Sequence, residues 1–307
     1  MALSDLLDGL GGRNVLLRAR EGLILCNRHD FVIGASMMAY GEYYQSEVNL
    51  FEAVLTSSAY CAVDVGANIG THTLAMSRVL THGKVIAFEP QREIFRLLSA
   101  NLTLNNRNNV VTFNACAGAE IDVVKMPEII YDGVKGHPFS FGGISPDFAK
   151  DVQYTYEVPM FPLDQVLHEH EFIRLIKIDV EGHELDVLKG AVHTIAKHKP
   201  ILYVENDRLK NSVALLTFIK SLGYRMFWHL PLFHNPDNFA RCVEPIHHCG
   251  FVKNKSGTYE SIGFGINMLC INQDEDCRDI VFDEVEDLEW HPYLHGLPSP
   301  KMKDDVS

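Results

Sequence analysis

The chain has 307 residues, 47% hydrophobic and 22% charged, with a formal net charge of −13. This suits one large decorated domain or two modest ones, and it is far from the composition of a disordered chain. With no lysine- or arginine-rich run, the acidic balance argues against nucleic acid as the main partner, because neutralising phosphates needs a basic surface.

No hydrophobic run reaches the length of a bilayer span. The opening MALSDLLDGLGG carries acids and glycines where a signal peptide would carry a basic region and an apolar core. Seven scattered cysteines, odd in number, suit reduced thiols, so the expected compartment is the cytoplasm. Cys61, Cys116 and Cys270 sit in apolar, strand-like runs and read as small buried hydrophobes.

In chain order, residues 1–50 form an N-terminal extension containing Tyr40, Tyr43, Tyr44 and Glu47. It reads either as a lid or extra helix over a site, or as a packing extension with surface tyrosines. The main domain is expected over 51–275, with insertions at 119–162 and 230–261 and a tail over 276–307. Residues 62–70, AVDVGANIG, give a strand reaching Asp64, a Gly-x-Asn-x-Gly turn and a helix opening at Thr71. A second strand over 85–88 ends at Glu89-Pro90, and Ile94, Leu97, Leu98 and Leu102 have helical spacing within 91–105. A third strand over 110–113 runs into Asn114-Ala115.

Beyond the irregular stretch 119–162, a strand over 175–180 has Asp179 at its tip, and one helix is expected over 185–195. Pro200 introduces a strand over 201–204 that meets Glu205-Asn206-Asp207; a helix over 212–222 is stopped by Gly223. Strands over 224–228 and 265–271 finish the set. Alternating strands and helices imply βαβ crossovers and a mostly parallel sheet. The last pair is joined without a clear helix, so the final strand is expected to run antiparallel.

The glycine turn brings bare backbone towards a nucleoside-bearing cofactor at the carboxyl end of the first strand. Asn68 stands where the dinucleotide fingerprint has its second glycine. Glu89 can accept hydrogen bonds from both ribose hydroxyls and would repel a 2′-phosphate. Asn114 and Ala115 would flank the adenine. IKIDVEGHE at 176–184 places Asp179, Glu181, His183 and Glu184 within about one turn beside the glycine loop, where they must perturb one another. Glu184 also reads as a first-turn helix acid, and His183 as either a proton acceptor or a surface histidine. Asp179, Glu205 and Asn206 form an oxygen-rich set suited to Mg²⁺ or Ca²⁺, with substrate hydrogen bonding or helix capping as the other readings. Cys242, His247, His248 and Cys249 match no structural zinc spacing closely. HLPLFHNPDN at 229–238 mixes aromatics and amides in a way that suits a polyhydroxylated ligand, or an ordinary turn.

Together DVGANIG (64–70), FEP (88–90) and IKIDVEGHE (176–184) resemble the FkbM family of S-adenosylmethionine-dependent methyltransferases. The resemblance runs from about Tyr40 to Asn272, with YGEYYQSE before the first strand and NMLCI in the last. It implies a Rossmann-like, seven-stranded class I methyltransferase sheet with an antiparallel last strand. It also implies that Asp64, Gly66, Asn68 and Gly70 surround the methionine part of S-adenosyl-L-methionine and that Glu89 holds the ribose. Glu47, Ala67, Pro90, Asn114, Ala115 and Asp179 complete the expected cofactor set. The activity implied is O-methylation of a sugar, glycan or hydroxylated secondary metabolite.

The expected catalytic residues are Asp179, Glu181 and His183, with His183 or Asp179 taking the hydroxyl proton, or a cation on Asp179, Glu205 and Asn206 acidifying it. Two other classes stay open on the residues alone: an NAD-dependent oxidoreductase and a non-catalytic cofactor-binding module. A homodimer is kept as an option for the assembly.

Overall fold

The structure is a computed structural model that describes residues 12–128, 141, 143–150, 154–167, 172–247, 250–253, 259–262, 264–278 and 280–295. The chain opens with a hairpin, β1 (Asn14–Ala19) and β2 (Gly22–Asn27), then α1 (Ile33–Tyr40) and α2 (Gln45–Val54). The first half of the sheet follows: β3 (Cys61–Val65), α3 (Thr71–Val79), β4 (Lys84–Phe88), α4 (Arg92–Leu104) and β5 (Val110–Phe113). Next come β6 (Cys116–Ala117), β7 (Asp122–Pro127), a 3-10 turn (Pro146–Lys150), β8 (Thr155–Phe161) and α5 (Leu163–Val166). The second half is β9 (Ile173–Ile178), α6 (Glu184–Lys189), α7 (Val192–His198), β10 (Ile201–Glu205), α8 (Leu209–Ser221) and β11 (Tyr224–His229). A short hairpin, β12 (Gly250–Lys253) and β13 (Tyr259–Ile262), precedes β14 (Asn267–Asn272) and α9 (Pro292–His295).

Seven strands form the central sheet in the order β11-β14-β10-β9-β3-β4-β5. The inner pairs are parallel, and β14 runs antiparallel between β10 and β11. This is the Rossmann-like α/β arrangement that the alternation of elements implied. All five residues of β3 are buried, which is what a central parallel strand covered on both faces requires. Strand order reverses between β3 and β9, so their carboxyl tips, Val65–Gly66 and Ile178–Asp179, flank the switch-point crevice.

Several local expectations change. The extension is a hairpin plus two helices, and the hairpin is docked by α4: Asn101 and Asn105 exchange side-chain hydrogen bonds with Leu25 and Leu23. The described part of the stretch 119–162 supplies β7 and β8, which join β6 in a three-stranded sheet, β6-β8-β7, rather than an irregular loop. Its strands are half exposed, so their patterns lack a strong apolar signal. The helix expected over 185–195 breaks into α6 and α7 at Gly190, where a Cβ would come 2.0 Å from the Gly118 carbonyl oxygen. The early tail docks: Val285 N–H donates to Met226, and Trp290 packs 5.7 Å from Trp228. No helix of the described residues is long and apolar enough to cross a membrane. His248 and Cys249 lie outside the described residues.

Candidate active site

The glycine turn is closed on itself. Gly66 and Ala67 N–H both donate to the Phe88 carbonyl at 3.0 and 2.9 Å, and Gly70 N–H donates to Ala67 at 2.9 Å. Asn68 N–H donates to Glu89 Oε2 at 3.0 Å, and Ile69 N–H to the Asn68 side chain at 2.7 Å. Every amide from 66 to 70 therefore has a partner inside the chain. Gly66, at φ +79°, meets the second strand tip so closely that a Cβ would stand 1.8 Å from the Asp179 carbonyl oxygen.

Glu89 binds this turn as an internal anion. It is 3% exposed, and its other oxygen accepts from Gln91 N–H at 2.8 Å. Burial pushes its pKa up to about 7, against the two amide hydrogen bonds and the Lys177 charge, which lower it. Asn114 turns its amide onto the Glu89 and Pro90 carbonyls at 2.9 and 3.1 Å, fixing the strand end.

Asp64 is fully buried beneath the turn, and Thr73 Oγ1 donates to it at 2.6 Å. Lys177, opposite it in the β3–β9 register, places Nζ 3.2 Å from Asp64, 3.5 Å from Asp179 and 3.1 Å from the Gly66 carbonyl oxygen. Burial pulls the ammonium pKa down, but Asp64, Asp179 and Glu47 outweigh it and the net shift is upward. Sequence reasoning passed over Lys177, although a lysine inside the buried run RLIKI is itself a signal of a paired charge. Asp64 thus acts from beneath, through Lys177 and Thr73, and Gly70 packs against Leu98 at the helix start.

Two cavities meet at Gly66, Glu89, Asp179 and Glu181, which line both. One, about 360 Å³, is walled by Phe88, Pro90, Ala115, Ala117 and Met160, with His183 at its margin. The other, about 480 Å³, is walled by Tyr43, Tyr44 and Phe233 and carries Glu47, Glu205 and Asp207. Ala67, Asn68, His72 and Lys177 also line it. Tyr44 and Phe233 stack there at 4.4 Å and 22°.

The tip of β9 is shaped by Glu181 (φ +59°) and Gly182 (φ +104°). Glu184 accepts from Gly182 N–H at 2.9 Å and so holds this turn closed; burial pushes its pKa up to about 7. Burial first and Asp179 second push Glu181 up to about 8, with Arg208 opposing. Arg208 pairs with Glu181 and, at 2.7 Å, with Asp207. Glu205 is shifted well upward by burial and by Asp179 and Glu181. Asp179, Glu181 and Glu205 each offer an oxygen within 4.8 Å of the others.

Asn206 does not join that trio. Its side-chain amide donates to Ser212 Oγ at 3.0 Å and its backbone carbonyl meets His291 Nε2 at 2.8 Å, while the acidic cluster at the strand tips adds Glu181 to Asp179 and Glu205. His183 stands 3.9 Å from Asp147 and 4.0 Å from Asp186, on the alanine-walled side. Nor do Cys242 and His247 form a ligand pair: Cys242 Sγ faces the Glu244 carbonyl, and His247 Nε2 meets Ser36 Oγ at 2.9 Å.

Methyltransferase sdnD of Sordaria araneosa is 31% identical over 153 residues, 42% of this chain and 59% of that one. The hexuronic acid methyltransferase AglP of Haloferax volcanii is 29% identical over 135 residues, 43% of this chain and 50% of that one. The matches thus span little more than half the length of these curated relatives. A crystal structure of methyltransferase FkbM from Methylobacillus flagellatus KT is 24% identical, covers 59% of this chain and 41% of that one, and superposes with a TM-score of 0.39. The model of the methyltransferase FkbM domain matches residues 64–226, just over half of the chain, which therefore belongs to this family of S-adenosyl-L-methionine-dependent methyltransferases.

Proposed function

We propose that this enzyme transfers the methyl group to a hydroxyl of a neutral, polyhydroxylated acceptor, a sugar or a hydroxylated secondary metabolite. The observation that carries the cofactor half is the closed glycine turn. With no free amide from 66 to 70 and the Glu89 carboxylate already seated there, a pyrophosphate would meet negative charge instead of donors. A ribose and a sulfonium cation are compatible with the same surroundings. That disfavours the NAD-dependent reading.

In this reading the alanine-walled cavity takes the adenosine, with Ala115 and Pro90 against the base and Glu89 towards the ribose hydroxyls. Gly66, Ala67, Asn68 and Asp179 border the methionine portion where the cavities join. When bound, S-adenosyl-L-methionine supplies an already activated methyl electrophile, so the chain's contribution is alignment and removal of a proton. The aromatic-walled cavity receives the acceptor, whose sugar-like faces pack on Tyr44 and Phe233.

The acceptor is taken as neutral because of the charge around it. Lys177 is the sole lysine or arginine among the described residues lining that cavity, and Asp64 and Asp179 already hold it. A hexuronate, as in the name of the Haloferax relative, would face carboxylates without a free cation. Of the acidic trio, Asp179 and Glu181 have Lys177 and Arg208 against them, while the buried Glu205 Oε2 has no hydrogen-bond partner among the described residues.

The test is incubation with S-adenosylmethionine tritiated in the methyl group and a panel of methyl glycosides, an amino sugar and a hexuronate. Label bound through oxygen to neutral acceptors supports the reading. Label on nitrogen, preference for the hexuronate, or no transfer to any member would overturn it.

A further inference from the structure

The acceptor hydroxyl must lose its proton as it attacks, and the aromatic-walled cavity holds an imidazole suited to receive it. His72, in the first turn of α3, is 5% exposed and lines that cavity together with Ala67, Asn68 and Asp179. Its Nε2 stands 3.0 Å from Glu47 Oε2. Glu47 is itself 2% exposed, and Asn267 Nδ2 donates to its other oxygen at 2.9 Å. Asn267 belongs to β14, so a sheet strand fixes the carboxylate, which lies beside the ring although Nε2 is not aligned for a hydrogen bond to it. Phe51 packs edge-on to the imidazole at 5.4 Å, and Tyr43 lies 5.9 Å away.

Resting on the methyl-transfer reading above, we infer that the Glu47–His72 pair is the proton acceptor for the hydroxyl, with His72 as the base and Glu47 as its positioning residue. A buried carboxylate beside Nε2 favours the tautomer that keeps the proton there, leaving the Nδ1 lone pair for the acceptor. The balance is simple. The oxygen–carbon bond forms as the carbon–sulfur bond breaks with its electron pair on sulfur. The hydroxyl proton moves to Nδ1, and Glu47 stabilises the imidazolium until solvent takes the proton. His183 lines only the other cavity, just past the β9 tip. The ionisable groups facing the same space as His72 are Glu47, Tyr43, Tyr44, Glu89, Lys177, Asp179, Glu181, Glu205, Asp207, His247 and Tyr293.

The pair is tested in two ways. Nitrogen NMR of the histidine-labelled, cofactor-free enzyme reads the tautomer without any acceptor: a proton on Nε2 and none on Nδ1 is expected, and the reverse overturns the inference. Single-turnover rates with whichever neutral glycoside the unsubstituted enzyme methylates should fall about 10²- to 10⁴-fold in H72A and H72Q, the range for a lost general base. The acid limb of the pH–rate profile should flatten in both, and E47Q should slow the reaction by a smaller factor. Calorimetry with S-adenosylhomocysteine should give unchanged affinity in H72A and H72Q. An unchanged rate in H72A and H72Q, or cofactor affinity falling in step with rate, overturns the assignment. Absence of turnover by the unsubstituted enzyme would instead count against the methyl-transfer reading, and the tautomer would still decide the pair.

Discussion

The two cavities share a floor but are built differently. The alanine-walled cavity is made largely by the tips of neighbouring sheet strands and the segments that directly follow them, Phe88–Pro90, Ala115–Ala117 and Asp179–Glu181, and is closed by residues of the 119–162 insertion such as Met160. The aromatic-walled cavity is assembled from distant parts of the chain, Phe31 to Glu47, His72, Phe233, Asn267 and Tyr293 among them. The first follows mainly from the sheet topology, with Val124, Ile144 and Met160 of the 119–162 insertion closing one side, and the second mainly from what the extension and the later insertion bring over the strand tips. A fold that must always hold one cofactor and must change acceptors would be expected to divide its labour this way.

Substitutions that strike the shared floor should break both halves, and those on one wall should separate them. The largest effect is expected for Lys177→Met, which leaves the buried Asp64 without its counter-charge. Breaking one partner of a buried pair costs roughly 3–5 kcal/mol, read as a lower urea midpoint at constant slope. An unchanged midpoint would show that the floor does not depend on the pair.

Glu89→Gln comes next. One acceptor oxygen cannot serve both Asn68 and Gln91 N–H, and a buried donor left unmet costs about 1–3 kcal/mol. S-adenosylhomocysteine affinity should fall at least about tenfold by calorimetry. The pH dependence has a definite sign. Ribose hydroxyls donate to the ionised carboxylate, and Glu89 is pushed up to about 7, so affinity should drop as pH falls below about 7. That dependence should vanish in the glutamine variant.

Phe233→Ala should be the mildest and the most selective. It removes the ring stacked on Tyr44, worth about 0.5–1.5 kcal/mol, so acceptor KM should rise roughly two- to tenfold. Cofactor affinity should stay where it was. If both change together, the cavities are not separate sites.

This division also explains what the sequence disclosed. The glycine turn, Glu89 and Asp179 are legible because each lies at a strand tip, and strand tips can be read from apolar runs ending on polar residues. The antiparallel β14 was legible for the same reason, from a strand pair lacking a crossover helix. His72 and Glu47 were not legible as a pair. They lie on separate helices, and only the packing of α2 against α3 brings an acid and an imidazole together. Lys177 could have been found, since a cation inside a buried strand needs an anion opposite it. Asn206 follows Glu205 in sequence, but successive side chains at a strand end point to opposite faces, and its amide turns to Ser212.

The most direct test of the central claim, that the closed Gly66–Gly70 turn with its seated carboxylate admits a ribose but no pyrophosphate, is calorimetric titration of the enzyme with S-adenosylhomocysteine and, separately, with NADH. One molecule of S-adenosylhomocysteine bound per chain, with no heat from NADH, is the predicted result. Tight binding of NADH, with no response to S-adenosylhomocysteine, would contradict it.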